Sequence, residues 1–183
     1  MIIVFAWATF LLYWVISAPG RNFKEKLPNL VLALALLIAV TGIFLLLSAG
    51  GVSENLNLVI WQETLFVGLC ADVVVLLSLY VLIWARRILG SNWSSNVSAK
   101  RSIRLVQNGP YAYVRHPIYT GLIGIVLGTS IAYGHLMGIL IFLLCTIGLY
   151  IKALREESVL TGKFHSDYLA YKARTKALIP FLL

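Results

Sequence analysis

The sequence predicts an all-α integral membrane protein with five transmembrane helices, its N-terminus outside and its C-terminus in the cytoplasm. Three observations predict this. Hydrophobic residues make up 60% of the 183 residues and charged residues only 12%, against about half and about a quarter in an ordinary soluble domain. Mean hydropathy is +0.89. The 15 Lys and Arg fall into three clusters separated by long apolar runs: positions 21, 24 and 26; then 86, 87, 100, 101, 104 and 115; then 152, 155, 163, 172, 174 and 176. This composition excludes a disordered chain, a small disulfide scaffold and a typical soluble enzyme. The net charge of +8 would suggest nucleic acid in a soluble protein. Its distribution here reads as membrane topology, with no nucleic-acid partner.

The first span covers about Ile2–Ile16, the second about Leu30–Ala49 and the third about Leu58–Ala85. The fourth and fifth cover about Ile118–Tyr133 and Leu136–Ile151. A crossing needs about 20 apolar residues, so the first, fourth and fifth must borrow neighbouring residues. The connections alternate in charge. Residues 19–29 carry Arg21, Lys24 and Lys26, and residues 50–57 carry only Glu54. Residues 86–117 and the tail after Ile151 carry six basic residues each. The positive-inside rule therefore puts the first and third connections and the tail in the cytoplasm. Two parts follow: residues 1–85 with three spans, and residues 86–183 with a connecting segment, a helical hairpin at 118–151 and an amphipathic tail.

Met1–Gly20 lacks the basic n-region of a signal peptide. Cys70 and Cys145 both lie within apolar spans and read as small core residues. Asn92-Trp-Ser94 and Asn96-Val-Ser98 fit the glycosylation pattern but fall on the cytoplasmic side. Glu63 is expected near the outer interface. Asp72 lies at membrane depth, which makes it a functional candidate, although a hydrogen bond to a neighbouring helix would also account for it. Gly124 and Gly128, and Gly134 and Gly138, are each four apart, which suits close helix packing within the hairpin.

Two segments carry chemistry. In Leu105–Gly121, Asn108-Gly109-Pro110 signals a turn, and Arg115-His116-Pro117 sits at the entry of the fourth span, where Pro suits a first helical turn. Tyrosines, two basic or titratable side chains and a helix N-terminus, which favours anions, gather at the cytoplasmic interface. The second segment is Lys152-Ala-Leu-Arg-Glu-Glu157. Lys152 and Glu156 share a helix face, with Glu157 off it. Both ends of a two-helix hairpin lie on one side, so Arg115-His116-Pro117 and Glu156 are expected to be neighbours. Their opposite charges could hold a zwitterionic cofactor. No metal-ligand cluster is visible.

Arg115-His116-Pro117-Ile118-Tyr119, followed by Glu156-Glu157, resembles the signature of the isoprenylcysteine carboxyl methyltransferase family, which is similar in turn to phospholipid methyltransferases. The resemblance covers about residues 84–180. It includes Leu89-Gly-Ser-Asn-Trp93, Leu105-Val106, Gly109-Pro-Tyr111, Phe164-x-x-x-Tyr168-x-x-Tyr171 and Ile179-Pro180. It implies S-adenosyl-L-methionine as methyl donor in a cytosol-facing pocket. Leu105 and Val106 would offer backbone contacts to the adenine. Tyr111, His116, Pro117 and Tyr119 would line the cofactor, and Glu156 would meet its amino acid moiety. Arg115 would bind or brace a carboxylate, and Glu157 belongs to the same set. Family members that methylate a carboxyl group tend to carry arginine four residues before the first glutamate, where this chain has Lys152. The histidine usual two residues before Leu105 is also absent, since the stretch reads Ser102-Ile103-Arg104.

The expected reaction is direct methyl transfer to a lipid-like or prenylated acceptor that enters from the bilayer. Alignment of the reactants is the main task. Lys152 or Arg155 would hold an acceptor carboxylate, as in an isoprenylcysteine-type substrate. For an amine, as in phospholipid N-methylation, Glu156 or His116 would act as base. A membrane reductase of the sterol reductase type, using NADPH, is the rival enzyme reading, and a membrane protein with a decayed site the non-enzymatic one. Small size and the lack of a cleavable signal point to a prokaryotic inner membrane, or the endoplasmic reticulum if eukaryotic. Oligomeric state is left open.

Overall fold

A computed structural model describes residues 2–17, 58–90 and 104–180. The second span, the basic cluster at 21–26, both glycosylation triplets and Ser102 lie outside the described residues. Within them the fold is helical: α1 (Ile2–Ile16), α2 (Leu65–Leu89), a 3₁₀ turn (Gly109–Ala112), α3 (Pro117–Tyr133) and α4 (Leu136–Arg174).

The helices start and stop where side-chain chemistry tells them to. Thr64 caps α2 by accepting from the Val67 N–H at 3.2 Å, so the helix begins at Leu65. Residues 58–61, expected as helix, instead run alongside the α3–α4 turn. Ile60 and Trp61 N–H both donate to Gly134 O, at 2.8 and 3.2 Å, and Leu136 N–H donates to Leu58 O at 2.9 Å. Pro117 opens α3, and Gly134 ends it in the left-handed conformation, φ 69°.

The core lies between α1, α2 and α3. Ala6, Val75, Leu79, Leu82 and Ile125 form its buried centre, flanked by Trp7, Phe10, Trp14 and Leu122. The glycine stripe of α3 serves this packing and not the hairpin. A Cβ on Gly121 would lie 2.7 Å from Ser78 O, and one on Gly128 would lie 2.9 Å from Ala71 O. The backbones of α2 and α3 therefore approach as closely as small residues allow. Gly138 does serve the hairpin, facing Ser130, whose hydroxyl donates to Gly138 O at 2.7 Å. The α1 helix is tied at one end by Trp7 Nε1 donating to Thr129 Oγ1 at 3.1 Å. At its other end Arg86 stacks over Trp14 and donates to Ser17 O. So α1 and α2 run parallel, with α3 antiparallel to both.

Among the described residues two helices, α2 and α4, are long and apolar enough to cross a membrane, and only 22% and 11% of their most apolar windows are buried. Leu65, Phe66, Leu69, Val73, Leu76 and Leu77 of α2 and Leu144, Ile147 and Ile151 of α4 stand exposed. Water would penalise so much bare apolar surface, whereas lipid accommodates it. Cys70 is exposed on α2 and Cys145 half-buried, so neither is the core residue expected.

The α4 helix reverses. His165 has φ 44° and ψ −118°, which breaks the helical run. The physical consequence is measurable. Glu157 and Lys172 are 15 positions apart, about 22 Å along a straight helix. Their charged groups are nevertheless 2.8 Å apart. The segment after His165 therefore folds back onto the one before it. Beyond it, residues 175–178 lie along the connecting segment: Arg115 N–H donates to Lys176 O at 2.8 Å and His116 N–H to Ala177 O at 3.0 Å. The described basic segments around Arg86, Arg115 and Lys152 thus share one end of the bundle, while Trp61 and Gly134 occupy the other.

Candidate functional site

The site is built where α3 begins and the apolar part of α4 ends. Pro117 has no N–H to leave unsatisfied at the first turn, and His116 precedes it at the cap position. That places the imidazole at the helix mouth, 7% exposed. From α4, Glu156 and Glu157 both approach it. His116 Nε2 lies 3.4 Å from Glu157 Oε1, and His116 Nδ1 lies 3.8 Å from Glu156 Oε2. One ring thus sits between two carboxylates.

The two glutamates have different surroundings. Glu157 is 2% exposed. Arg115 Nε donates to its Oε1 at 2.6 Å and Lys172 Nζ lies 2.8 Å from its Oε2. Arg115 also donates through Nη1 to Thr175 O. Burial alone would raise the Glu157 pKa, but the close approach of His116, Lys172 and Arg115 outweighs it and holds the carboxyl at about 2. Glu157 is therefore an ionised knot joining the connecting segment, α4 and its returning limb. Glu156 is half-buried. Tyr119 Oη donates to Glu156 Oε1 at 2.6 Å. Its Oε2, 3.8 Å from His116, is beyond hydrogen-bond reach of that ring.

A stack completes the site. The His116 and Tyr119 rings are parallel, 4° apart in plane and 5.5 Å between centroids. Lys152 Nζ lies 5.3 Å from the Tyr119 centroid. Lys152 itself is exposed. Tyr111 is buried in the 3₁₀ turn, and Tyr171 Oη donates to its carbonyl at 2.7 Å. Burial first, and Tyr171 second, push the Tyr111 hydroxyl well above its usual pKa. Leu105 and Val106 are half-buried in the irregular segment before that turn. Arg155 is exposed on α4 and takes no part in the cluster.

Of the residues singled out from sequence, Arg115, His116, Tyr119, Lys152, Glu156 and Glu157 form one connected group. Residues not singled out as site members complete it: Lys172, Thr175 and Thr120, whose hydroxyl donates to Leu178 O at 2.6 Å. Tyr168 and Tyr171 are also buried here. Only the tyrosine spacing of the tail signalled them. Beside Arg115 and Lys172 a crevice of about 320 Å³ opens, lined by Ala112, Tyr113, Arg115 and residues 172–176. Its charged lining is entirely basic: Arg115, Lys172, Arg174 and Lys176.

The sequence profile of the isoprenylcysteine carboxyl methyltransferase family matches residues 69–162, just over half of the chain and the whole of the α3–α4 hairpin up to both glutamates. The chain belongs to that family. Two relatives, each named protein-S-isoprenylcysteine O-methyltransferase, are similar to it. The one from Schizosaccharomyces pombe is 33% identical over 96 residues, covering 51% of this chain and 41% of the relative. The one from Saccharomyces cerevisiae is 28% identical over 132 residues, covering 69% of this chain and 55% of the relative. The chain thus spans about half the length of the curated relatives it matches. Within the isoprenylcysteine carboxyl methyltransferase match lie the Arg115–Tyr119 entry, Lys152 and Glu156. The returning limb that carries Lys172 and Thr175 lies outside it.

Proposed function

We propose that this chain is a five-span membrane methyltransferase that transfers the methyl group of S-adenosyl-L-methionine to the carboxylate of a prenylated cysteine, with residues 86–183 as its working part. The observation that carries the reading is the half-buried Glu156 carboxylate. It is anchored by Tyr119 through one oxygen, with an exposed ammonium, Lys152, 5.3 Å from the centre of the same ring. A zwitterionic donor and an anionic acceptor call for one group of each sign. Glu157 is consumed by its own cations, so Glu156 is the carboxylate left to meet an ammonium. The names of the two relatives support the prenylcysteine acceptor.

The residues fit the donor. The bound cofactor supplies an electrophilic methyl on a sulfonium centre. Because that cofactor is net positive, the all-basic crevice beside Lys176 suits it poorly. Glu156, His116 and the buried Tyr111 form the better cradle, with Leu105 and Val106 offering backbone groups. Lys152 neutralises and steers the acceptor carboxylate at the membrane surface, where a prenyl tail stays in lipid. A carboxylate nucleophile has no proton to lose, so this reaction needs alignment and no base. Arg155 is close enough in sequence to assist Lys152 once an acceptor is present.

Glu156→Gln tests the reading. It keeps the Tyr119 contact as a neutral hydrogen bond and removes the charge. Affinity for S-adenosylhomocysteine in detergent is expected to fall about tenfold or more, as for loss of a hydrogen-bonded charge. Unchanged affinity would remove Glu156 from the site. A thermal shift with NADPH and none with S-adenosylhomocysteine would move the chain to the reductase class.

A further inference from the structure

We infer that Tyr119 is a positioning residue with two separable outputs: its hydroxyl sets the cofactor-side carboxylate Glu156, and its ring sets the acceptor-side ammonium Lys152. The inference rests on the methyltransferase reading above and deepens it by saying how a lysine comes to serve there. Three geometries converge on this one side chain. The hydroxyl donates to Glu156 Oε1 at 2.6 Å. One face stacks on His116 at 5.5 Å and 4°. Lys152 Nζ sits 5.3 Å from the ring centroid, inside the range of a cation–π contact.

A lysine lacks the geometry that an arginine would supply here. Arginine presents a rigid planar fork, whereas lysine is a point charge on a flexible four-carbon stem. An exposed lysine left alone would spread its ammonium over many rotamers, and ordering it would cost side-chain entropy. A ring already fixed on both sides, by His116 stacking and by Glu156, gives that ammonium one preferred seat. Lys152 and Glu156 are four residues apart on α4 and would otherwise form an ordinary i, i+4 ion pair, in which each cancels the other. Tyr119 donates a hydrogen bond to Glu156 through its hydroxyl and meets the charge of Lys152 with its ring. The two opposite charges stay close without quenching each other. Donor ammonium and acceptor carboxylate can then be held by neighbouring groups of opposite sign.

The test separates the two outputs in purified, detergent-solubilised protein. S-adenosylhomocysteine affinity and the KM for an N-acetyl-S-prenylcysteine are measured first on the natural chain. Absence of both binding and turnover there overturns the methyltransferase reading itself. Given both, Y119F removes only the hydroxyl: cofactor affinity is expected to fall about fivefold to tenfold, with acceptor KM unchanged within twofold. Y119L removes the ring as well: acceptor KM is expected to rise roughly two- to fivefold in addition, the scale of an exposed cation–π contact. Y119W, which restores a ring face without the phenol, should recover acceptor KM and leave cofactor affinity low. K152M should raise acceptor KM, and adding Y119L to it should raise KM no further. Equal effects of Y119F and Y119L on both constants, or additive effects of Y119L and K152M on KM, would overturn the inference. Melting temperatures of all variants identify any that fail to fold, and the Y119F and K152M pair then carries the decision.

Discussion

At one end of the α3–α4 hairpin the chain is tied by hydrogen bonds to backbone carbonyls alone, and at the other the backbone bonds of Arg115 and His116 to Lys176 and Ala177 are joined by side-chain charges. Around Gly134 the contacts are Ile60 and Trp61 N–H to Gly134 O, Leu136 N–H to Leu58 O, and Trp61 Nε1 to Ile131 O at 2.8 Å. No ionised side chain takes part in these bonds. Around His116 the ties are Arg115, Lys172 and His116 converging on Glu157, with Tyr119 on Glu156. Backbone ties fix geometry without selecting a ligand. Charge ties can do either, and the second end divides them: Glu157 is held by Arg115 and Lys172, and Glu156 by Tyr119, which under the proposed function leaves Glu156 for the cofactor.

The sharpest way to break that division is to remove the structural half. Glu157→Gln leaves Arg115 buried without its anion, and losing one partner of a buried pair costs about 3–5 kcal/mol. The melting temperature in detergent should drop sharply. Replacing both members, Arg115→Met with Glu157→Met, should recover part of the loss, because no lone charge remains. The same pair predicts a pH response. The Glu157 pKa is depressed from 4.5 to about 2 in the folded state. Its contribution is therefore complete above about pH 4.5 and is lost as pH falls toward 2. The natural chain should lose melting temperature progressively through that window, and Glu157→Gln should lose less.

The opposite end is broken differently. Gly134 has φ 69°, and a Cβ there would lie 2.6 Å from Trp61 O. Gly134→Ala combines a left-handed penalty of about 1–2 kcal/mol with a backbone clash. A drop in melting temperature smaller than that of Glu157→Gln is expected, with S-adenosylhomocysteine affinity within twofold of normal. A large loss of affinity would mean that the two ends are coupled.

Much of this plan was legible in the sequence. Pro117 fixed the entry of α3, Gly134 its end, and the short turn made Arg115–Pro117 and Glu156 neighbours. The roles of the two glutamates were not. They are 100° apart on a helix of 3.6 residues per turn, and the one expected off the functional face is the deeper. That choice depends on Lys172, and so on where the chain reverses. The partner of the Gly121–Gly128 stripe was equally hidden, because periodicity names the small face and not the helix it meets. The fold-back was least legible of all. Gly162 before it and the cap-favouring Ser166-Asp167 after it weaken the helix here, but neither says that the turn falls on His165.

That reversal supplies the smallest test. His165 is the only non-glycine residue with positive φ among the described residues, at 44°, and such a conformation strains a residue bearing a Cβ by of order 1 kcal/mol. The returning limb holds it there through Lys172–Glu157, Arg115–Thr175 and the Tyr171–Tyr111 bond. His165→Gly should relieve the strain, less the extra chain entropy glycine brings to the unfolded state. A gain of about 0.5 kcal/mol is expected, read as a small rise in melting temperature. His165→Ala keeps the Cβ and should give no such rise. If Ala stabilises as much as Gly, the backbone at this turn is not strained, and the fold-back is set by the Glu157 cluster alone.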